Sequence, residues 1–434
     1  MATDAKGEPL VGRRIILGVT GGIAAYKSAE LCRRLVGAGA EVHCVMTEAA
    51  TKLVGPITFE ALSGNPVGLD AFASSEPGAI EHIRLASLGE LVVVAPATAS
   101  FMARYASGLA EDLLGALLLA TKAPVLLAPG MNTNMWEHSA TQANAALLRQ
   151  RGARFVGPEE GDLACRTRGV GRMAEPDRIL EAAEAALAPQ DLVRMKVLVT
   201  AGATREALDP VRFLSNHSTG KMGFALARAA ASRGAKVVLV SGPTSLPTPL
   251  GVERVDVLSA EEMASAVLGR SRSQDVIVKA AAVTDWRPAT PAPRKLKKGP
   301  GGGAERLILE RTPDILASLG GSRRGGRPIL VGFAAETGDP TAEAERKLEA
   351  KGCDLVVGND VTAEGAGFGA DTNRVVIVGR GGPPEQLPLA SKATIAHALW
   401  DRVATLLVSP PRARSKEGVG RARGRSGTNR RSKA

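Results

Sequence analysis

RRIILGVTGGIAAYKSAELCRRLVGAGAEVHCVMT, residues 13–47, reads as one βαβ unit. A short apolar run leads into a Gly-containing turn, then a helix with apolar residues on one stripe, then a second apolar run. The same grammar returns from Met195, where MKVLVTAGATREALDP is followed by SNHSTGKMGFALARAAASRGAKVVLVSG, residues 215–242. Further buried runs stand at LVVVAP (91–96), APVLLAP (123–129), VIVKAAAV (276–283) and PILVGFAAET (328–337). Continuous apolar strands alternating with Ala- and Leu-rich helices indicate parallel sheets covered on both faces. The expected fold is therefore α/β, with two doubly wound, Rossmann-like domains. Their join falls after EAAEAALAPQ, so that residues 1–190 form the first domain and 191–408 the second.

Composition narrows the function classes. A chain of 434 residues suits two or three domains of roughly 150 residues each. Aromatic residues make up only 3%, which argues against a protein that reads single strands by base stacking. No apolar run reaches the roughly 18 residues of a membrane span, and the N-terminus has no signal-like apolar core. Cys32, Cys44, Cys165 and Cys353 are scattered without a CxxC pair, so neither a disulfide framework nor a zinc site is indicated. A reduced, cytoplasmic protein is the expectation. The formal charge is +11, but residues 411–434 hold nine basic residues and one acid, leaving +3 for everything before them. Residues 409–434 thus read as a basic disordered tail, and the nucleic-acid signal resides there.

Ligands of doubly wound sheets bind beyond the carboxyl ends of the strands, so the loops after strands carry the candidates. GVTGGIAAYK (18–27) offers backbone amides at a helix start, which serve a phosphate or simply a tight turn. STGKMG (218–223) lacks the first Gly of a P-loop and has Met222 after the Lys; it reads as a phosphate-binding helix start or as a cap. Asn132 in APGMNTNMW can orient a carboxylate, although two Met and a Trp there also suit packing. His82 is a potential base. Cys165 lies in a loop with Gly169, Gly171 and several arginines that favour a thiolate, whereas the other three cysteines read as packing residues. Asp285 closes the run AAAVTDW, and Lys295, Lys297 and Lys298 lie on a Pro- and Gly-rich flap, 288–305. In ERTPDIL, Pro313 reads as the first helical residue with Asp314 in the first turn.

Taken together, these motifs resemble one family. TGGIAAYK, HIRLA, APATA, GLAEDLL, PGMNTNMW and GVGRM are similar to the flavodoxin-like, FMN-binding phosphopantothenoylcysteine decarboxylases. TAGATREALDPVRFLSNHSTGKMG, AAAVTDWRP, KLKK, TPDIL and GFAAET resemble the phosphopantothenate–cysteine ligases, and both sets occur in the order of the fused, bifunctional family over about residues 12–408. The resemblance implies two consecutive steps of coenzyme A biosynthesis. CTP and Mg²⁺ activate 4′-phosphopantothenate as an acyl-cytidylate, which L-cysteine attacks. FMN then supports decarboxylation of the product to 4′-phosphopantetheine.

By the same resemblance, His82 assists thiol oxidation, Asn132 holds the substrate carboxylate, and Cys165 donates a proton to the enethiol. Gly21, Gly22, Thr47, Ala97, Thr98 and Met131 would contact FMN. Arg212 and Asn216 would act on the acyl-cytidylate and Lys295 would promote its formation. Asp285, Lys295, Pro313, Asp314, Ile315, Leu316, Phe333, Lys347 and Lys351 would bind CTP; the Mg²⁺ ligands are unassigned. Arg166 stands where the family usually has Gly after the cysteine. The resemblance further implies a homo-oligomer with trimeric decarboxylase halves and dimeric ligase halves, and partners that are small molecules rather than nucleic acid or membrane.

Overall fold

The computed structural model describes residues 9–72, 80–164, 167–297 and 306–408. The tail from 409, Cys165, Arg166 and Lys298 lie outside these residues. The first sheet contains β1 (Arg14–Val19), β2 (Glu41–Met46), β3 (Leu91–Ala97), β4 (Val125–Pro129) and β5 (Arg154–Phe155). Its order is β2-β1-β3-β4-β5 and every pairing is parallel, the flavodoxin-like arrangement. The all-apolar reading of residues 91–96 is explained by burial of β3 along its whole length. Helix Ala25–Gly37 buries Ala25, Ser28, Leu31, Cys32 and Leu35, one stripe at helical spacing. Its polar back carries Glu30, Arg33 and Arg34, which pair with one another on the outside.

Residues 159–162 and 168–172 depart from the loop expected around Gly169 and Gly171. They form an antiparallel hairpin of β6 (Glu159–Asp162) and β7 (Arg168–Arg172). Neither strand has the apolar alternation by which strands are recognised, because the hairpin lies outside the sheet.

The second sheet uses β8 (Lys196–Ala201), and after it comes a small hairpin of β9 (Arg205–Ala207) and β10 (Phe213–Ser215). The sheet continues with β11 (Lys236–Ser241), β12 (Val252–Asp256) and β13 (Val276–Lys279). Next, β14 (Trp286–Pro288) and β15 (Leu309–Arg311) pair as an antiparallel arm. The remaining strands are β16 (Ile329–Glu336), β17 (Leu355–Asp360), β18 (Thr372–Gly379) and β19 (Glu385–Ser391). The order is β12-β11-β8-β13-β16-β17-β18-β19. Through β17 the pairing is parallel and follows the Rossmann order 3-2-1-4-5-6. The antiparallel extension by β18 and β19 is not part of the sequence expectation.

Apolar clusters fill both faces of each sheet. Cys32, Cys44 and Cys353 are buried in them, as packing residues should be. Between the halves, Leu192 enters the second core and Gln190 donates a hydrogen bond from Nε2 to the Ser232 carbonyl at 2.9 Å. Arg233, 2% exposed, pairs with Asp191 on the connector and with Asp401 at 2.7 Å.

Candidate functional site

The carboxyl ends of β1, β2, β3 and β4 open on a cleft of about 1080 Å³. Each strand contributes the loop that follows it: Thr20–Ala24, Thr47–Ala49, Thr98–Ser100 and Gly130–Asn132. Neighbours β1 and β3 mark the point where the strand order reverses, the customary ligand position in such sheets. Helices Ala25–Gly37 and Ala99–Ser107 start at its edge, where Tyr26, Lys27, Ala99 and Ser100 line it. Thr98 caps the second helix by accepting from the Phe101 N–H at 3.3 Å. Thr20 Oγ1 donates to the Pro96 carbonyl at 2.6 Å, tying the two switch-point loops together.

Two glycines are required by close approach. A Cβ at Gly21 would lie 2.4 Å from the Ala49 Cβ, and one at Gly171 would lie 2.4 Å from the Met131 carbonyl oxygen. The latter contact, with the Met131 N–H donating to the Gly171 carbonyl at 2.9 Å, docks the β6–β7 hairpin on the PGMN loop. Asp162, Leu163 and Ala164 of the hairpin consequently line the cleft. Asn132 lines it too and caps helix Thr133–Glu137, its Oδ1 accepting from the Asn134 N–H at 2.9 Å.

Of the residues expected in this site, Gly21, Gly22, Thr47, Thr98, Met131 and Asn132 come together on the lining. Ala97 does not. As the last residue of β3 it turns into the core beside Phe101 and Leu127. His82 is absent from the lining; it lies on helix Glu81–Leu88 between the exposed Ile80 and Ile83, with Nδ1 buried and without a hydrogen-bond partner.

Lys27 and Arg104 line the cleft and were not singled out from sequence. Lys27 Nζ lies 2.9 Å from Glu175 Oε1. Burial would raise the Glu175 carboxyl, but Lys27 and Arg172 outweigh it and hold it below its ordinary range. Arg104 pairs with Asp112 at 2.8 Å and covers the Phe101 ring at 5.6 Å. Both cations occur within quoted motif neighbourhoods, yet nothing in the local sequence distinguishes them from surface charges.

In the second half the loops following β8 and β13 are stitched into one edge. Asn216 Nδ2 donates to the Ala282 carbonyl at 3.1 Å, and the Arg212 Nη2 to the Leu296 carbonyl at 2.9 Å, which brings Arg212 beside Lys295. The Thr312 N–H donates to the Asp285 carbonyl at 3.0 Å, joining Asp285 to the loop that carries Pro313. Asp314 is the N-cap of helix Ile315–Ser322, accepting from the Ala317 N–H at 2.8 Å. Pro313 therefore precedes the cap instead of opening the helix. Ile315 and Leu316 are core side chains, 1% and 4% exposed, so they present only backbone to a ligand. Asp285 stands six residues beyond the end of β13, in a loop, because β13 stops at Lys279.

Lys347, on helix Thr341–Ala350, donates to the Phe333 carbonyl at 2.8 Å, and Lys351, the residue that caps that helix, pairs with Asp314 at 2.5 Å. Burial alone would raise the Asp314 carboxyl, but Lys351 and the helix amide bring it below the usual range. The STGK run meets a different use. Thr219 donates to the Phe368 carbonyl at 2.6 Å and Lys221 to the Gly369 carbonyl at 2.8 Å, so both are engaged by the loop before β18. Asp209, unremarked in the sequence, is buried and anchors Arg212 at 2.6 Å.

Among the described residues no group of three or more His, Cys, Asp or Glu could hold a metal ion, and no helix is long and apolar enough to cross a membrane. Residues 4–188 match the flavoprotein family, and residues 192–407 match the DNA/pantothenate metabolism flavoprotein C-terminal domain. Over 400 residues the chain is 46% identical to the coenzyme A biosynthesis bifunctional protein CoaBC of Vibrio vulnificus, spanning 92% of this chain and 99% of that one. It is 47% identical over 401 residues to the protein of the same name from Bacillus subtilis, spanning 92% and 98%. A crystal structure of the C-terminal domain of a CoaBC protein is 38% identical and covers 50% of this chain and 98% of its own, with a TM-score of 0.43. Matched from end to end at this identity, the chain belongs to the bifunctional coenzyme A biosynthesis family, a flavoprotein half followed by a pantothenate-metabolism half.

Proposed function

We propose that the loop edge of the second half and the cleft of the first perform the two consecutive reactions of that family: CTP-dependent joining of L-cysteine to 4′-phosphopantothenate, then FMN-dependent decarboxylation to 4′-phosphopantetheine. The observation that carries this reading is the gathering of both motif sets at the carboxyl ends of two separate sheets. We divide the chain as 1–190 for decarboxylation and 191–408 for ligation, with the basic tail from 409 outside both.

In the second half, a carboxylate becomes a useful electrophile only once its oxygen is part of a phosphate leaving group, and cations must offset the crowded charge. Lys295, Lys347 and Lys351 supply that charge around CTP, with Asp285, Phe333 and the Pro313–Leu316 backbone completing its contacts. The substrate carboxylate attacks the α-phosphorus, pyrophosphate leaves, and Arg212 and Asn216 hold the acyl-cytidylate. The cysteine amine then attacks the acyl carbon and CMP departs. Mg²⁺ arrives as the CTP complex, since such ions keep water and phosphate ligands and need few carboxylates.

The first cleft fits flavin mononucleotide: helix amides and hydroxyls for a phosphate, apolar walls of Ile23, Met131, Met135 and Met173, and a volume that leaves room for substrate. Gly21, Gly22, Thr47 and Thr98 would hold it. When bound, FMN supplies the electron sink that lets CO₂ leave an acylated cysteine. Asn132 orients the substrate carboxylate. Cys165, next in sequence to the cleft-lining Ala164, returns a proton to the enethiol carbon.

His82, off its own chain's cleft and flanked by exposed Ile80 and Ile83, serves as the base at the cleft of a neighbouring copy. This supports a homo-oligomer; trimeric decarboxylase halves and dimeric ligase halves follow from the family resemblance. The test is one assay: purified protein with a flavin absorbance band, given 4′-phosphopantothenate, cysteine and CTP, should release CMP and CO₂ in equal amounts. CMP without CO₂ would leave only the ligase, and colourless protein after flavin addition would remove the decarboxylase.

A further inference from the structure

Lys279 ends β13, the strand adjacent to β8 at the centre of the second sheet, where the strand order reverses. Strand alternation places it on the face of Ile277, which packs with Ile315, Leu316, Leu330 and Cys353. Its partners in register are Thr200 and Gly332. The latter has no side chain, and a Cβ there would meet Leu316 at 3.1 Å and the Cys353 sulfur at 3.4 Å. Lys279 is thus half-buried at the top of the strand, at the edge of the apolar layer, and its ammonium feels the charges of Lys347, Asp314 and Asp285. It makes no ion pair or hydrogen bond with any described residue, in contrast to Lys347 on the Phe333 carbonyl and Lys351 on Asp314.

A desolvated ammonium beside a second cation is unfavourable, and an apolar side chain of the same length would suit the fold better. Such a group persists where a ligand adds counter-charge to that of Asp314 and Asp285, neither of which pairs with it. We propose that Lys279 is a further nucleotide-binding residue, whose ammonium takes an oxygen of the bound polyphosphate alongside Lys347. This rests on the reading of that loop edge as the CTP site.

Burial and the Lys347 charge push Lys279 down to about 8, with Asp314, Asp285 and Cys353 acting in the opposite direction. Near pH 8 part of the free protein therefore lacks this proton. A polyphosphate restores it, so CTP binding is accompanied by proton uptake.

The test uses full-length protein carrying Lys279→Met and Lys279→Arg, with magnesium–CTP titrated calorimetrically at pH 8 in two buffers of different ionisation enthalpy. Wild type should take up a fraction of a proton. Lys279→Met should bind about tenfold more weakly without that uptake, raise KM for CTP more than it lowers kcat, and melt no lower than wild type when free. Lys279→Arg should recover the affinity but not the proton uptake, because arginine stays charged. Wild-type affinity and proton uptake in Lys279→Met would overturn the assignment. So would a loss of affinity matched by a lower melting point of the free variant and unrescued by arginine. If wild-type protein itself fails to bind CTP, the nucleotide reading of the loop edge falls, and the part of Lys279 with it.

Discussion

Asp209 Oδ2 receives the Arg212 guanidinium through Nε at 3.0 Å and Nη2 at 2.6 Å, and the same oxygen takes the Leu296 N–H at 3.1 Å. One carboxylate therefore fixes both the arginine and the loop that carries Lys295. Asp209→Asn should lower CMP formation by about tenfold to a hundredfold, since displacement by about an ångström can cost that much. Decarboxylation of supplied 4′-phosphopantothenoylcysteine should be unchanged. Equal loss in both assays would show a general folding defect instead.

The same pair fixes a pH expectation. Arg212, with the Val211, Arg212 and Leu296 amides, holds Asp209 far below the ordinary carboxylate range, outweighing the effect of burial. A depressed acid contributes its full stability above its unfolded pKa of about 4 and loses it only as pH falls through the lower folded value. Ligase activity and melting temperature should show no titration of this group between pH 5 and 8. A wild-type transition there that disappears in Asp209→Asn would contradict the pairing.

Asn132 lines the cleft of its own chain, whereas His82 does not. If His82 completes a neighbour's cleft, His82→Asn and Asn132→Ala proteins should each be inactive in decarboxylation. Co-assembled from mixed chains, they should regain a measurable fraction of wild-type activity, because some clefts then hold both native residues. No recovery in verified mixed oligomers would place His82 in its own cleft.

Replacing Cys165 with Ser should leave CO₂ release intact while the enethiol accumulates, since only the final proton donor is lost. Mass spectrometry of the product distinguishes the enethiol from 4′-phosphopantetheine by two hydrogens. Full conversion to 4′-phosphopantetheine would assign the proton to another donor.

Gly171→Ala drives a methyl group into the Met131 carbonyl, where backbone must shift. We expect about 1–3 kcal/mol of lost stability in the first domain. Decarboxylase turnover should fall at least tenfold as the hairpin leaves its seat, while the ligase persists. Thermal melting monitored by flavin release separates the two halves.

The fold was legible because its signal is local. A fully buried strand such as β3 must be apolar at each position, and Ala25 to Leu35 repeat on one stripe. Where structure departs from expectation, burial was missing as a guide. The hairpin β6–β7 and the arm β14–β15 are half exposed and carry polar residues, so they read as loops. The site residues follow the same division. Those contributed by loops directly after strands, such as Gly21, Thr98 and Asn132, were found by topology and resemblance. Asp209 and Lys279 escaped because their importance comes from groups far along the chain, the Leu296 amide bonded to the first and the Lys347 charge acting on the second.

The Arg233 clamp has a practical bearing on how the chain can be divided. Gln190 is bonded to Ser232, Asp191 faces the guanidinium, and Leu192 sits wholly within the second core. A ligase fragment begun at Met195, the natural-looking start of its first strand, would forfeit all three tethers and expose a nearly buried arginine that keeps Asp401 and the His397 carbonyl but loses its second carboxylate. Splitting the gene ahead of Gln190 keeps that lock within one piece, and the two activities can then be expressed, stored and recombined as separate polypeptides.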